Sequence, residues 1–164
     1  MDTLAATPPR VRRPVITLWL LRVALTVHLL AVLAQPVLAG LFLTGDVDAI
    51  EVHGAVAIAI ELLTTIIVGI TIGYVTVGRG RLWTLAAIVG LFLLEGFQIG
   101  VGYARALQFH VPTGVVVVVG SVLLAAWAWT PSAGRPRPTR TALPSLQELQ
   151  ELQGSTRRGG GGAR

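Results

Sequence analysis

Apolar residues along this chain gather into four long runs, 15–43, 52–77, 82–104 and 110–129, separated by short loops where charge and glycine collect. Each run is near or above the ~20 residues a helix needs to cross about 30 Å of hydrocarbon, and none confines its apolar residues to one stripe. The pattern predicts an all-α, four-helix transmembrane bundle. Loops this short make consecutive helices antiparallel neighbours, so the bundle is expected to run up-down-up-down. The first run is too long for one straight span and contains Arg22 and Pro36. The bilayer is therefore expected to begin near Val23, with Arg22 snorkelling back to the interface and Pro36 kinking the outer half.

Composition strengthens this reading. The chain of 164 residues is 53% hydrophobic and 13% charged, far from the balance of a soluble domain, so the lipid bilayer is its main partner. Every one of its 13 basic residues is arginine, placed almost wholly in the two tails and one loop, where it can face anionic lipid, and nucleic acid is not a needed partner. The lack of cysteine excludes disulfides, thiolate metal sites and thiol catalysis. Arg10, Arg12 and Arg13 ahead of an apolar stretch imitate a signal peptide, but that stretch runs too long and no small-residue cleavage site precedes three further spans.

The arginines also set a direction. They precede the first helix, fill "GRGR" at 78–81 and follow the fourth helix, whereas "TGDVDAIE" at 44–51 is acidic. By the positive-inside rule both termini are cytoplasmic in a multi-pass cell-membrane protein, and Trp19, Trp83, Trp127 and Trp129 fall at the cytoplasmic interface. Residues 1–14 then form a cytoplasmic N-terminal segment, 15–130 the transmembrane domain and 131–164 a disordered basic tail. Within that tail Ser145 and Glu148 make a capping-box pattern, Leu146, Leu149 and Leu152 a stripe, and Gly154 a stop, which predicts a short helix over 146–153.

Ionisable or amide side chains inside a span demand a partner or a function. Counting ~1.5 Å per residue from the span ends, His53 and His110 each open a helix on the outer side, and Gln35, Glu61 and Glu95 lie roughly 12 to 14 Å below that face, with Gln98 between the two layers. His28 sits nearer the opposite face, with no second histidine at its depth and no obvious ligand partner. Helices one and two carry Gln35 then His53, and helices three and four carry Gln98 then His110, a weak internal repeat of the parallel kind. If it holds, helices two and four are diagonal and the two histidines face each other across roughly 11 to 14 Å between axes. That gap suits a metal macrocycle held by one imidazole from each side. Glycines Gly69 and Gly73, and Gly96 and Gly100, form GxxxG faces suited to close helix approach, within the bundle, with a second copy or with another membrane protein.

"VHLLAVLAQPVLAGLFLTG", "EVHGAVA" and "GFQIGVGYARALQFHVPTG" together resemble a family of small bacterial four-helix inner-membrane proteins of undefined function, which pairs a histidine and "Q...AG" in helix one with an "HG" opening to helix two and a histidine followed by proline at helix four. The likeness covers about residues 23–129. Helices two and four also resemble one half of the haem A synthase bundle, in which a histidine on each of these helices ligates haem. The resemblance implies His53 and His110 as axial ligands of a b-type haem. That enzyme uses two such halves and an acidic residue spaced before the histidine, whereas this chain has one half, with Glu51 two positions before His53.

Three classes of function stay open: a bis-histidine haem protein for electron transfer or haem handling, a proton-linked membrane protein using Glu61 and Glu95, and a cofactor-free accessory bundle locked by its polar layer. No HExxH, GxSxG or phosphate loop is present, so no catalytic residue is assigned and an enzyme is not expected.

Overall fold

The computed structural model describes residues 15–137 and position 150. The segment 1–14, the tail beyond 137 and the helix expected at 146–153 otherwise lie outside the described residues. Four helices follow one another, α1 (Val15–Leu43), α2 (Ala49–Thr76), α3 (Trp83–Tyr103) and α4 (Leu107–Trp129), and a 3-10 turn spans Pro131–Gly134. All four are long and apolar enough to cross a membrane. Both α2 and α4 begin three residues before their apolar runs. The added residues, Ala49 to Glu51 in α2 and Leu107 to Phe109 in α4, each include one polar side chain that interrupts an apolar run without ending a helix, and Glu51 in the first turn of α2 suits the positive end of its dipole.

Each helix packs against two neighbours: α1 and α3 flank both α2 and α4, leaving α1–α3 and α2–α4 as the diagonals. Large apolar side chains such as Leu30, Leu62, Ile66, Val115 and Leu123 point outward, as the bilayer requires. Buried hydroxyls need no interhelical partner, because Thr64, Thr71 and Ser121 each donate to the carbonyl four residues back.

At the site end of the bundle, α1 and α3 stop in the same way. The amides of Gly45 and Asp46 bond the carbonyls of Phe42 and Leu41, and those of Arg105 and Ala106 bond the carbonyls of Gly102 and Val101. Both are Schellman motifs, which place their first loop residue in the left-handed region, at φ +107° for Gly45 and 56° for Arg105.

The opposite, arginine-rich end is closed by aromatic and backbone contacts. Tyr74 is fully buried, packs edge-on against Trp127, and donates its hydroxyl proton to the carbonyl of Ala133 at 2.8 Å. The amide of Arg137 donates to the carbonyl of Arg79 at 2.8 Å, so ordered chain continues to at least residue 137 rather than ending near 130. Arg22 does not extend freely toward the interface. Its Nε donates to the carbonyl of Ala128 at 2.8 Å while its guanidinium lies over Trp19 and Trp129, placing a cation at the negative C-terminal end of α4.

The packed core is uneven along the bundle axis. Leu18, Leu21, Leu25, Ile67, Val75, Ile88, Leu124, Ala125 and Ala128 fill it toward the arginine-rich end. Toward the site end, beyond Val32 in α1, Ile60 in α2, Glu95 in α3 and Val117 in α4, Ala49 alone of the described residues is fully buried. The buried side chains therefore fill roughly two-thirds of the bundle, and the last third is lined by half-buried and exposed ones.

Candidate functional site

The less buried third contains two copies of one hydrogen-bonded unit. In the first, Nδ1 of His53 on α2 lies 3.2 Å from the carbonyl of Gln35 on α1, and the amide of Gln35 donates back to the carbonyl of His53 at 3.3 Å. In the second, Nδ1 of His110 on α4 lies 3.0 Å from the carbonyl of Gln98 on α3, and the amide of Gln98 donates to the carbonyl of His110 at 2.8 Å. The same atoms pair in the same sense in both hairpins. A carbonyl oxygen can only accept, so each Nδ1 carries the proton and each Nε2 keeps a free lone pair.

The two imidazoles meet across the α2–α4 diagonal with ring centres 6.2 Å apart and planes inclined by 54°. A Cβ added to Gly102 would lie 2.9 Å from Nδ1 and Cε1 of His110 but 3.8 Å from Nε2, so that nitrogen is the atom turned farther from α3. Gly102 thus permits the close approach that the Nδ1 bond requires. Gly114 does the same for Gln98, whose amide nitrogen would be 2.8 Å from an added Cβ. The hydroxyl of Thr113 contacts Oε1 of Gln98, whereas Oε1 of Gln35 has no protein partner, because Val56 stands at the equivalent position of the first hairpin.

Beneath this pair the other diagonal is bridged as well. Nε2 of His28 on α1 meets Oε1 of Glu95 on α3 at 2.7 Å, with the side chains 0% and 3% exposed. Glu61 approaches from α2, its Oε1 3.5 Å from the point a Cβ on Gly96 would occupy. Glu95 therefore does not pair with a glutamine or share a bond with Glu61; its partner is His28, the residue expected to stand alone. Depth had been counted from span ends, and α1 begins eight residues before the assumed bilayer edge at Val23. Measured from the repeated glutamines instead, His28 lies seven residues before Gln35 and Glu95 three before Gln98. That difference is about one helical turn, roughly 6 Å, which a histidine and a glutamate can span between them.

No protein-family model, curated protein or solved structure matches this chain. The site is therefore read from its own geometry. Among the described residues no three histidine, cysteine or carboxylate side chains converge in a way that could hold a bare metal ion. Two imidazoles with free Nε2 atoms form a donor set for an ion whose remaining ligands come from elsewhere, as a porphyrin supplies four nitrogens.

Proposed function

We propose that this chain is a membrane protein that binds one b-type haem through His53 and His110, for electron transfer or haem handling, with both termini and the 78–81 loop on the cytoplasmic side. The observation that carries the reading is the opposed, tautomerically fixed imidazole pair on diagonal helices. Its spacing suits a shared iron: a metal–nitrogen bond of about 2.0 Å, with ~1.1 Å more from nitrogen to ring centre on each side, gives about 6.2 Å between ring centres. The two imidazoles lie in the third of the bundle that has the fewest buried side chains, which is where the macrocycle would sit. Gln35 and Gln98 act as orienting residues, since hydrogen bonds from ligand Nδ1 to carbonyls fix the rings and raise the basicity of Nε2. Bound haem would supply reversible one-electron chemistry. The resemblance to half of the haem A synthase bundle assigns the same two histidines, while the single half argues against synthesis of haem A itself.

The test is optical. Protein purified from cells supplied with haem is expected to show a Soret band and a low-spin spectrum. His53→Ala or His110→Ala should each abolish the low-spin spectrum, because one imidazole cannot fill both axial positions. His28→Ala and Glu61→Gln should retain it. If the wild-type protein shows no Soret band, the two histidines are positioning residues of a cofactor-free bundle.

A further inference from the structure

Haem ligation leaves unused a buried imidazole and carboxylate, His28 and Glu95, and the half-buried carboxylate of Glu61 beside them. His28 and Glu95 lie on the bundle axis, below the imidazole pair and above the packed layer of Leu21, Leu25, Ile67 and Ile88. Three of their polar atoms, Nδ1 of His28 and Oε2 of Glu95 and of Glu61, are buried without a hydrogen-bond partner among the described residues. Three helices each contribute one titratable group: His28 from α1, Glu61 from α2 and Glu95 from α3. Helix α4 contributes none at this level, presenting Val117 and Ser121, whose hydroxyl is already bonded to its own helix. Glu95 is three residues from Gln98, the residue whose carbonyl anchors His110.

We propose that this cluster is a proton-binding site coupled to the iron, taking up one proton when the iron accepts one electron. The proposal rests on the haem reading above. The physical reason is the low dielectric around His28 and Glu95: reduction would place one more negative charge at the haem, and charges buried in the bundle are weakly screened from it. At an effective dielectric of about 20, unit charges on the order of 10 Å apart change each other's proton affinity by more than tenfold. The step balances as follows. One electron from an external one-electron donor would go to the haem that His53 and His110 would hold, and one proton from the aqueous phase would be bound within the His28–Glu95 pair as one new N–H or O–H bond. The His28–Glu95 pair on the axis holds the proton between its two members, and Glu61 tunes the pair as a neighbouring carboxylate.

The experiment is a redox titration of the purified full-length haem-loaded protein with dithionite and mediators, followed through the Soret band over a series of pH values. The wild-type potential should fall with rising pH, by roughly 30 mV or more per tenfold change in proton concentration within its titrating window and by no more than the ~59 mV of a full one-proton, one-electron step. Glu95→Gln should retain the Soret band and lose that slope, together with any reduction-linked infrared band of a protonated carboxylic acid. Glu61→Gln should keep the slope but displace the window to lower pH, since a like charge is removed. His28→Gln, which can still donate to Glu95 but cannot titrate, should displace the window by at least one pH unit, and it decides the matter should Glu95→Gln not fold. A pH-independent wild-type potential, or slope and window unchanged in every variant, overturns the coupling while leaving haem ligation intact. Absence of the Soret band overturns both.

Discussion

At the scale of single residues, the His28–Glu95 pair shows how polar side chains specify this bundle. Replacing one member leaves the other buried without its partner, whereas replacing both by apolar residues removes the conflict. His28→Leu is therefore expected to destabilise the protein by about 3 kcal/mol, and His28→Leu with Glu95→Leu by distinctly less, as measured by thermal unfolding in detergent. The two hairpins provide an internal control for Gly102. The repeat-equivalent position, four residues after Gln35, is Ala39, and there the reciprocal bonds are 3.2 and 3.3 Å rather than 3.0 and 2.8 Å. Gly102→Ala should accordingly lengthen the second set toward the first and weaken haem binding by no more than about tenfold in a haem titration, while Gly102→Val should exceed that. His53, His110 and the two glutamines were legible from their placement at helix openings and from the repeat. The His28–Glu95 contact was not, because it depends on the relative height of two helices that are not sequence neighbours.

At the scale of elements, helix existence followed directly from apolar runs, while boundaries and end chemistry did not. Nothing in hydropathy distinguishes Arg105 from any other loop residue, yet it occupies the left-handed position that Gly45 fills in the equivalent turn. A side chain there costs about 1 to 2 kcal/mol relative to glycine, partly offset by glycine's extra freedom in the unfolded chain. Arg105→Gly is expected to raise stability by roughly 0.5 to 1 kcal/mol, read as a higher Tm. The other end behaves oppositely. Composition places 131–137 with the basic tail, but Ala133 is fully buried and its carbonyl receives the Tyr74 hydroxyl. Truncation after Arg137 should leave Tm unchanged, whereas truncation after Thr130 should lower stability by about 1 to 3 kcal/mol, since it strips Tyr74 of its acceptor and uncovers apolar surface.

At the scale of the whole molecule, orientation and internal packing bear on how a ligand would arrive. Under the proposed orientation, with "GRGR" cytoplasmic, the histidine end of the bundle faces outward. Because the chain lacks cysteine, single cysteines at Asp46 and Arg81 report sidedness through an impermeant thiol reagent on intact cells, and labelling is expected at the first only. Arg81 serves better than Gly80, whose added side chain would run into the ring of Tyr74. The uneven burial was not legible in the sequence, because hydropathy reports contact with lipid and with other helices alike.

The doubled glutamine–histidine unit gives the site its own approximate two-fold axis along the bundle. Each hairpin brings one imidazole, one carbonyl anchor and one Schellman turn, so a chain half this length could build the same arrangement by pairing with a copy of itself. Fusing the halves frees them to diverge: Thr113 and Gly102 tighten one, Val56 and Ala39 relax the other, and His28 and Glu95 occupy positions that do not correspond between repeats. A symmetric dimer would have to carry any such change twice, and could not place an unlike pair across its own axis without also placing the reverse.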